Sequence, residues 1–383
     1  MANQPCFGDE DLHESPSSAF YWWRTTGDPN GNGYLNIDLS DLSSLTPRLK
    51  VLREMERLAL IAPEGLDDLR HKLITYRSGD FWLPVGGVKK EDVDIPPIIT
   101  ILLVGLSGSG KSSLVNLMYS VLGGSGLIPF TQTSSMSSNY TTMFMEEHNV
   151  LRSVRSGFCV YDTRGLDSSQ LSEGFEEVSG WMVDGVRHNQ LCCRPEDEKT
   201  GRDSHATPSM GSLLSSSRFA KRRVNSVMVV ANLAEIYRAL KCGDSKPLEA
   251  TRDLFHCHSI RNSNENPILI LTHGDTLSFE ERINGRLKVC AYLGVSETTG
   301  AYDIACVTEQ GILPEQSDPV TSYALTEAVY RALMQSDRTH LPRRKPMDWL
   351  RIFVSRVMCC IGAFFLMLAY FFSRLGHKKK LKV

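Results

Sequence analysis

Two apolar rhythms alternate through the middle of the chain. A continuous apolar, β-branched run occupies 98–104, and further strand candidates lie at 141–145, 158–161, 227–230, 268–271 and 304–307. Such runs suit strands buried on both faces. Between them lie stretches with apolar residues three or four apart, at 176–188, 248–256, 279–294 and 323–334, which predict amphipathic helices. Strand and helix in strict alternation predict an α/β fold, a doubly wound sheet with helices on both faces.

The flanks follow other patterns. Residues 1–40 are polar and rich in Gly, Pro and Ser, with one aromatic cluster at 19–23. Two helices are expected at 47–61 and 64–76, divided by Pro and Gly signals. Residues 190–226 break the alternation with a polar, Ser-rich stretch that reads as a flexible insertion. Residues 352–372 form an apolar run interrupted only by Ser355 and Arg356. As a helix it would span about 31 Å, one hydrocarbon core. The expected organisation is therefore a helical extension over 1–95, a central domain over 96–340, a membrane helix over 352–372 and a basic tail over 373–383. Because that helix lies close to the last residue, it is expected to insert after synthesis as a tail anchor, leaving the body in the cytosol. A shortish span with a basic tail points to the outer envelope of a mitochondrion or chloroplast, with the endoplasmic reticulum as the alternative.

Composition narrows the class only a little. The 383 residues carry 42 Lys and Arg against 44 Asp and Glu, and no basic stripe with interleaved aromatics marks a nucleic-acid surface. Ten cysteines without a C-x-x-C pair fit a reduced compartment. Residues 28–39, DPNGNGYLNIDL, mimic a calcium loop but carry Leu39 where a bidentate Glu is needed, so they read as an Asn/Gly turn. HCH at 256–258 is too tightly spaced for a metal site.

The chemistry is concentrated at strand ends. After the run at 98–104 comes GLSGSGKSS, which fits G-x-x-x-x-G-K-[ST] and precedes a helical pattern. Gly105, Ser107, Gly108, Ser109, Gly110, Lys111, Ser112 and Ser113 are the expected phosphate-loop contacts. The glycines let backbone N–H groups close around phosphate, Lys111 reaches the β- and γ-phosphates, and Ser112 ligates Mg²⁺. The run at 158–161 delivers D-x-x-G as Asp162 to Gly165. The run at 268–271 delivers Thr272, His273, Gly274 and Asp275. Guanine presents N1–H and an exocyclic amine side by side, so one carboxylate such as Asp275 can accept both; adenine has no such pair. His273 is suited to cover the base face. The phosphate loop alone also resembles that of adenylylsulfate kinases, so an ATP-dependent kinase or ATPase is the rival reading.

Three motifs in this order resemble the G-domain superfamily of P-loop GTPases. The sequence is most similar to its septin-like branch, with the immunity-associated GTPases and the Toc receptors of the chloroplast outer envelope; some Toc receptors also carry T-H for N-K and a C-terminal anchor. The general look is that of plant P-loop proteins with a C-terminal membrane anchor. The resemblance covers residues 98–334 and the tail. It implies GTP or GDP with Mg²⁺, and possible homodimerisation through the nucleotide face. It implies a catalytic set of Lys111, Thr141, Asp162 and Gly165, and metal ligation by Ser112, Thr141 and Asp162. Thr142 is an alternative to Thr141 as the mobile-loop threonine, with Thr131 and Thr133 as competitors. The fifth GTPase element, near Thr308, lacks its usual signature. Leu166 stands where a water-orienting Gln often follows D-x-x-G, so slow turnover is expected. A hydrolysing switch and a scaffold without turnover both fit. Arg164 is the first side chain to consider as a stand-in for that Gln, but the role expected of it is a surface salt bridge.

Overall fold

The computed structural model describes residues 46–84, 88–133, 142–153, 155–192, 219–261, 266–313, 318–340 and 346–380. Two units separate. The first comprises residues up to 82 together with 96–339; the second comprises 83–95 and 340–383.

The first unit is built on a seven-stranded sheet. In chain order the strands are β1 (Ile99–Val104), β2 (Phe144–His148), β3 (Phe158–Asp162), β4 (Gln190–Leu191), β5 (Ser226–Asn232), β6 (Ile268–Thr272) and β7 (Ala301–Asp303). Their spatial order is β4-β2-β3-β1-β5-β6-β7. β3, β1, β5, β6 and β7 run parallel, while β2 is antiparallel to both β3 and β4. The order reverses at β1, so the crevice beyond the carboxyl end of β1 is the topological switch point where such sheets bind ligands.

Side chains of β1 alternate between two cores. Ile99, Ile101 and Leu103 join the core beneath α1 (Pro47–Thr75), α2 (Lys111–Val121) and α7 (Pro319–Arg338). Leu102 and Val104 join the opposite core, with α3 (Leu171–Asp184), α4 (Leu233–Lys241), α5 (Lys246–Phe255) and α6 (Phe279–Leu293). Both faces are covered, which makes the fold a doubly wound α/β sheet, as expected.

Several elements differ from the sequence expectation. The two helices expected before the sheet are one, α1, which runs through Pro63. A helical Pro costs about 3 kcal/mol. An unbroken stripe offsets it: Val51, Leu52, Met55, Ala59, Ala62, Leu66, Leu69 and Leu73 are all buried. Gly65 lies against the ring of Tyr323 on α7, and the Asp337 carboxylate accepts hydrogen bonds from the Tyr76 hydroxyl and from the Gly79 and Phe81 N–H groups. β2 covers Phe144–His148 rather than 141–145, and it is only partly apolar, with the adjacent Glu146 and Glu147 half-buried. The last strand covers Ala301–Asp303 instead of 304–307. Ile304 and Ala305 are still buried, but the chain then tightens into a 3-10 turn, Val307–Gln310. At the ends of the Ser-rich stretch, β4 pairs with β2 and Arg222 pairs with Val186; residues 193–218 lie outside the described residues.

The second unit contains a 3-10 turn, Lys90–Asp92, and helix α8 (Pro346–Lys380). Within α8, Phe353–Phe371 is long and apolar enough to cross a membrane, and its large apolar side chains, among them Phe364, Leu366 and Tyr370, are exposed.

Candidate functional site

The phosphate loop leaves β1 at Gly105, where a Cβ would come within 2.2 Å of the Val230 carbonyl oxygen on β5. Only glycine fits there. Gly108 and Gly110 take left-handed backbone conformations, φ +71° and +85°, which turn the loop back into the N-terminus of α2. Lys111 opens α2, and its buried Nζ donates to the carbonyls of Gly105 at 3.2 Å and Leu106 at 3.1 Å and to Ser109 Oγ at 3.4 Å. Burial draws its pKa down to about 8, opposed by the charge of Asp162. Ser107 and Gly108 are exposed, Ser109 is buried and Ser113 is half-buried.

Asp162, at the end of β3, faces the loop. Ser112 Oγ donates to Asp162 Oδ2 at 2.6 Å and lies 3.3 Å from Thr142 Oγ1. Asp162 Oδ1 is buried with no hydrogen-bond partner, and burial pushes the carboxyl up to about 6 against the opposing effects of Ser112 and Lys111. Three hard oxygen donors with one buried oxygen unsatisfied fit a Mg²⁺ site. Thr141 lies outside the described residues, and its neighbour Thr142 is the threonine beside Ser112. Thr131 is engaged elsewhere, its hydroxyl donating to the Ser112 carbonyl at 2.8 Å. Asn116, which the motifs did not signal, clamps that loop: it accepts from the Phe130 and Thr131 N–H groups and donates to the Thr131 carbonyl.

The D-x-x-G segment lies against the phosphate loop. The Ser107 N–H donates to the Leu166 carbonyl at 2.9 Å and the Leu166 N–H donates to the Gly105 carbonyl at 3.0 Å. Leu166 is 1% exposed and part of the core, in contact distance of Gly174 on α3. Arg164 is not a surface residue: it is 3% exposed and forks onto Glu177 of α3 at 2.9 to 3.1 Å. That engagement removes it as a stand-in for the missing Gln.

The third motif closes the other side of the loop. The buried Thr272 hydroxyl donates to the Ser109 carbonyl at 2.7 Å and lies 2.9 Å from His273 Nδ1. His273 adopts a left-handed conformation, φ 58°, that sets its ring beside Gly110: a Cβ there would lie 3.1 Å from His273 Cε1. Asp275 is exposed and its Oδ2 accepts from Gln310 Nε2 at 3.2 Å. Asn232, at the end of β5, also reaches the loop, with Nδ2 donating to the Gly108 carbonyl at 3.3 Å. Asn232 also caps α4, accepting from the Glu235 N–H.

Ser112, Asp162, Gly165 and Thr272 are thus brought around the phosphate loop and Lys111, with His273 beside Gly110 and Asp275 on the exposed turn that follows β6. No family model matches the chain, and no curated protein matches it. Among solved structures, the chain has 16% identity to Toc33 from Arabidopsis thaliana in complex with GDP and Mg²⁺, at a TM-score of 0.32, covering 69% of this chain and 93% of that one. It has 12% identity to bacterial selenocysteine-specific elongation factor EF-Sec, also at a TM-score of 0.32; 62% of this chain is covered, and it spans 28% of the elongation factor's length.

Proposed function

We propose that the chain is a guanine-nucleotide-binding protein, a slow GTPase held on a membrane by α8 with its nucleotide domain in the cytosol. The observation that carries this reading is the Thr272 to Ser109 hydrogen bond, 2.7 Å, which ties the Asp275 turn to the phosphate loop. A loop built for phosphates and an exposed carboxylate suited to a pair of adjacent donors then belong to one ligand.

In this reading the loop N–H groups and the Lys111 ammonium hold the polyphosphate. Ser112, Asp162 and Thr142 hold Mg²⁺, which when bound neutralises charge on the β- and γ-phosphates. The Thr272 hydroxyl fixes the strand end, His273 covers the base face, and Asp275 accepts from the guanine edge. Leu166 offers no hydrogen bond to an attacking water, so hydrolysis is slow and the nucleotide state persists. A persistent state suits a switch or scaffold better than a metabolic enzyme.

The test is nucleotide content and phosphate release of the detergent-solubilised full-length chain. GTP or GDP should be bound, turnover should lie well below about 1 per second, and Lys111→Ala should remove both signals. Fast turnover by dilute protein, or retention of nucleotide by Lys111→Ala, contradicts the reading.

A further inference from the structure

Two turns from neighbouring strands meet, and the first of them rests on a buried ion pair. The 3-10 turn Gly274–Thr276 follows β6, and the 3-10 turn Val307–Gln310 follows β7. Beneath the first, Arg282 of α6 donates to both oxygens of Asp303 on β7, at 2.7 and 2.8 Å. Gly274 rests on that pair so closely that a Cβ would lie 2.6 Å from Arg282 Nε and 2.8 Å from Asp303 Oδ1. The Ile304 N–H still donates to the Leu271 carbonyl at 2.8 Å, so the two strand ends stay in register as they leave the sheet. Gly311, with φ +76°, ends the second turn. The β6–β7 pairing thus carries the two turns out of the sheet side by side, the ion pair seats the first of them, and Gln310 Nε2 of the second meets Asp275 Oδ2 of the first at 3.2 Å.

We infer that Gln310 is a positioning residue for base recognition and sets the discrimination of guanine from purines lacking the 2-amine. This rests on the guanine reading above. An exposed carboxylate on a turn rotates freely; a single N–H held against one oxygen stops that rotation and leaves lone pairs for the two donors of guanine. The identity of the residue matters. Lys or Arg would neutralise the carboxylate that the base needs, and Glu would repel it; the Gln amide orients it without changing its charge.

The experiment measures affinities of the full-length protein in detergent for GTP, ITP and ATP with Mg²⁺, for the unmutated chain, Gln310→Ala, Asp275→Asn and the double variant. Gln310→Ala should weaken GTP roughly three- to tenfold, the loss of about one hydrogen bond. ITP should weaken less, because a rotating carboxylate can still follow the single N1–H, and ATP should not change. The double variant should bind GTP no more weakly than Asp275→Asn alone, since Gln310 acts only through Asp275. An unaltered GTP-to-ITP preference in Gln310→Ala overturns the inference while leaving the guanine reading intact. Equal weakening of all three nucleotides also overturns it, as the mark of a structural role. Equal GTP and ATP affinity in the unmutated chain overturns the guanine reading and this inference with it.

Discussion

Gly165 lies so close to Ser107 that a Cβ at position 165 would sit 2.4 Å from the Ser107 Cα and 2.8 Å from its nitrogen. The D-x-x-G segment and the phosphate loop therefore touch backbone to backbone. Gly165→Ala should push the segment off the loop, lowering stability by about 1–3 kcal/mol, the usual cost of forcing atoms into a packed contact. Nucleotide affinity should fall with it. Thermal unfolding and nucleotide titration check both; an unchanged melting temperature would mean that the contact yields freely.

Restoring the glutamine common elsewhere should not restore speed. Leu166 is core, 1% exposed, so Leu166→Gln buries an amide where a methyl-bearing side chain now packs. The expected cost is about 1–3 kcal/mol, with no gain in phosphate release. Faster release with undiminished stability would show that position 166 reaches the nucleotide.

Stability should depend on pH through His148. The residue is buried beside Tyr119, and its Nε2 has no hydrogen-bond partner, the nearest carboxylate oxygen of Glu146 lying 3.6 Å away. Burial, reinforced by His188 and opposed by Glu147, draws its pKa from 6.5 down to about 4. The unfolded chain takes up a proton near pH 6.5, whereas the folded chain resists until about pH 4. The contribution is therefore fully present above pH 6.5 and is lost as pH falls from there to about 4, on the order of 3 kcal/mol across the window. Melting temperatures of the unmutated chain should drop more steeply over this range than those of His148→Leu. Parallel curves would contradict the burial argument.

Membrane attachment should reside in α8. A fluorescent protein fused to the N-terminus should sediment with membranes and be removed by protease added to intact organelles, and deletion of Pro346–Lys380 should release it to the soluble fraction. A soluble full-length fusion, or one protected from protease, would contradict the anchored, cytosol-facing arrangement.

What was legible in the sequence was what backbone geometry forces into fixed spacing. A phosphate loop demands glycines at set intervals, and the strand before it must be apolar because both sheet faces are covered. Gly105, Gly108 and Gly110 and the buried β1 were thus readable. Tertiary packing hid the rest. α1 passes Pro63 because α7 covers its buried stripe, a compensation that no local signal carries. α4 escaped notice because its nine residues follow directly from β5, with Asn232 serving both strand and cap. The motif pattern supplied Asp275, but Gln310 comes from a turn whose signature is weak, and it is the tertiary pairing of β6 with β7 that brings the two turns together. Leu166 could be read as the absence of a glutamine, not as a core residue.

Exchanging the base specificity at Asp275 asks whether this site takes guanine. Asp275→Asn replaces an acceptor for two donors with an amide that can donate to the C2 carbonyl of xanthine. Competition binding on the full-length protein should rank GTP above ATP and XTP before the substitution, and XTP above GTP after it, with GTP weakened roughly tenfold or more. Equal affinity for GTP and ATP in the unmutated protein, or a ranking that Asp275→Asn leaves unchanged, would contradict the account.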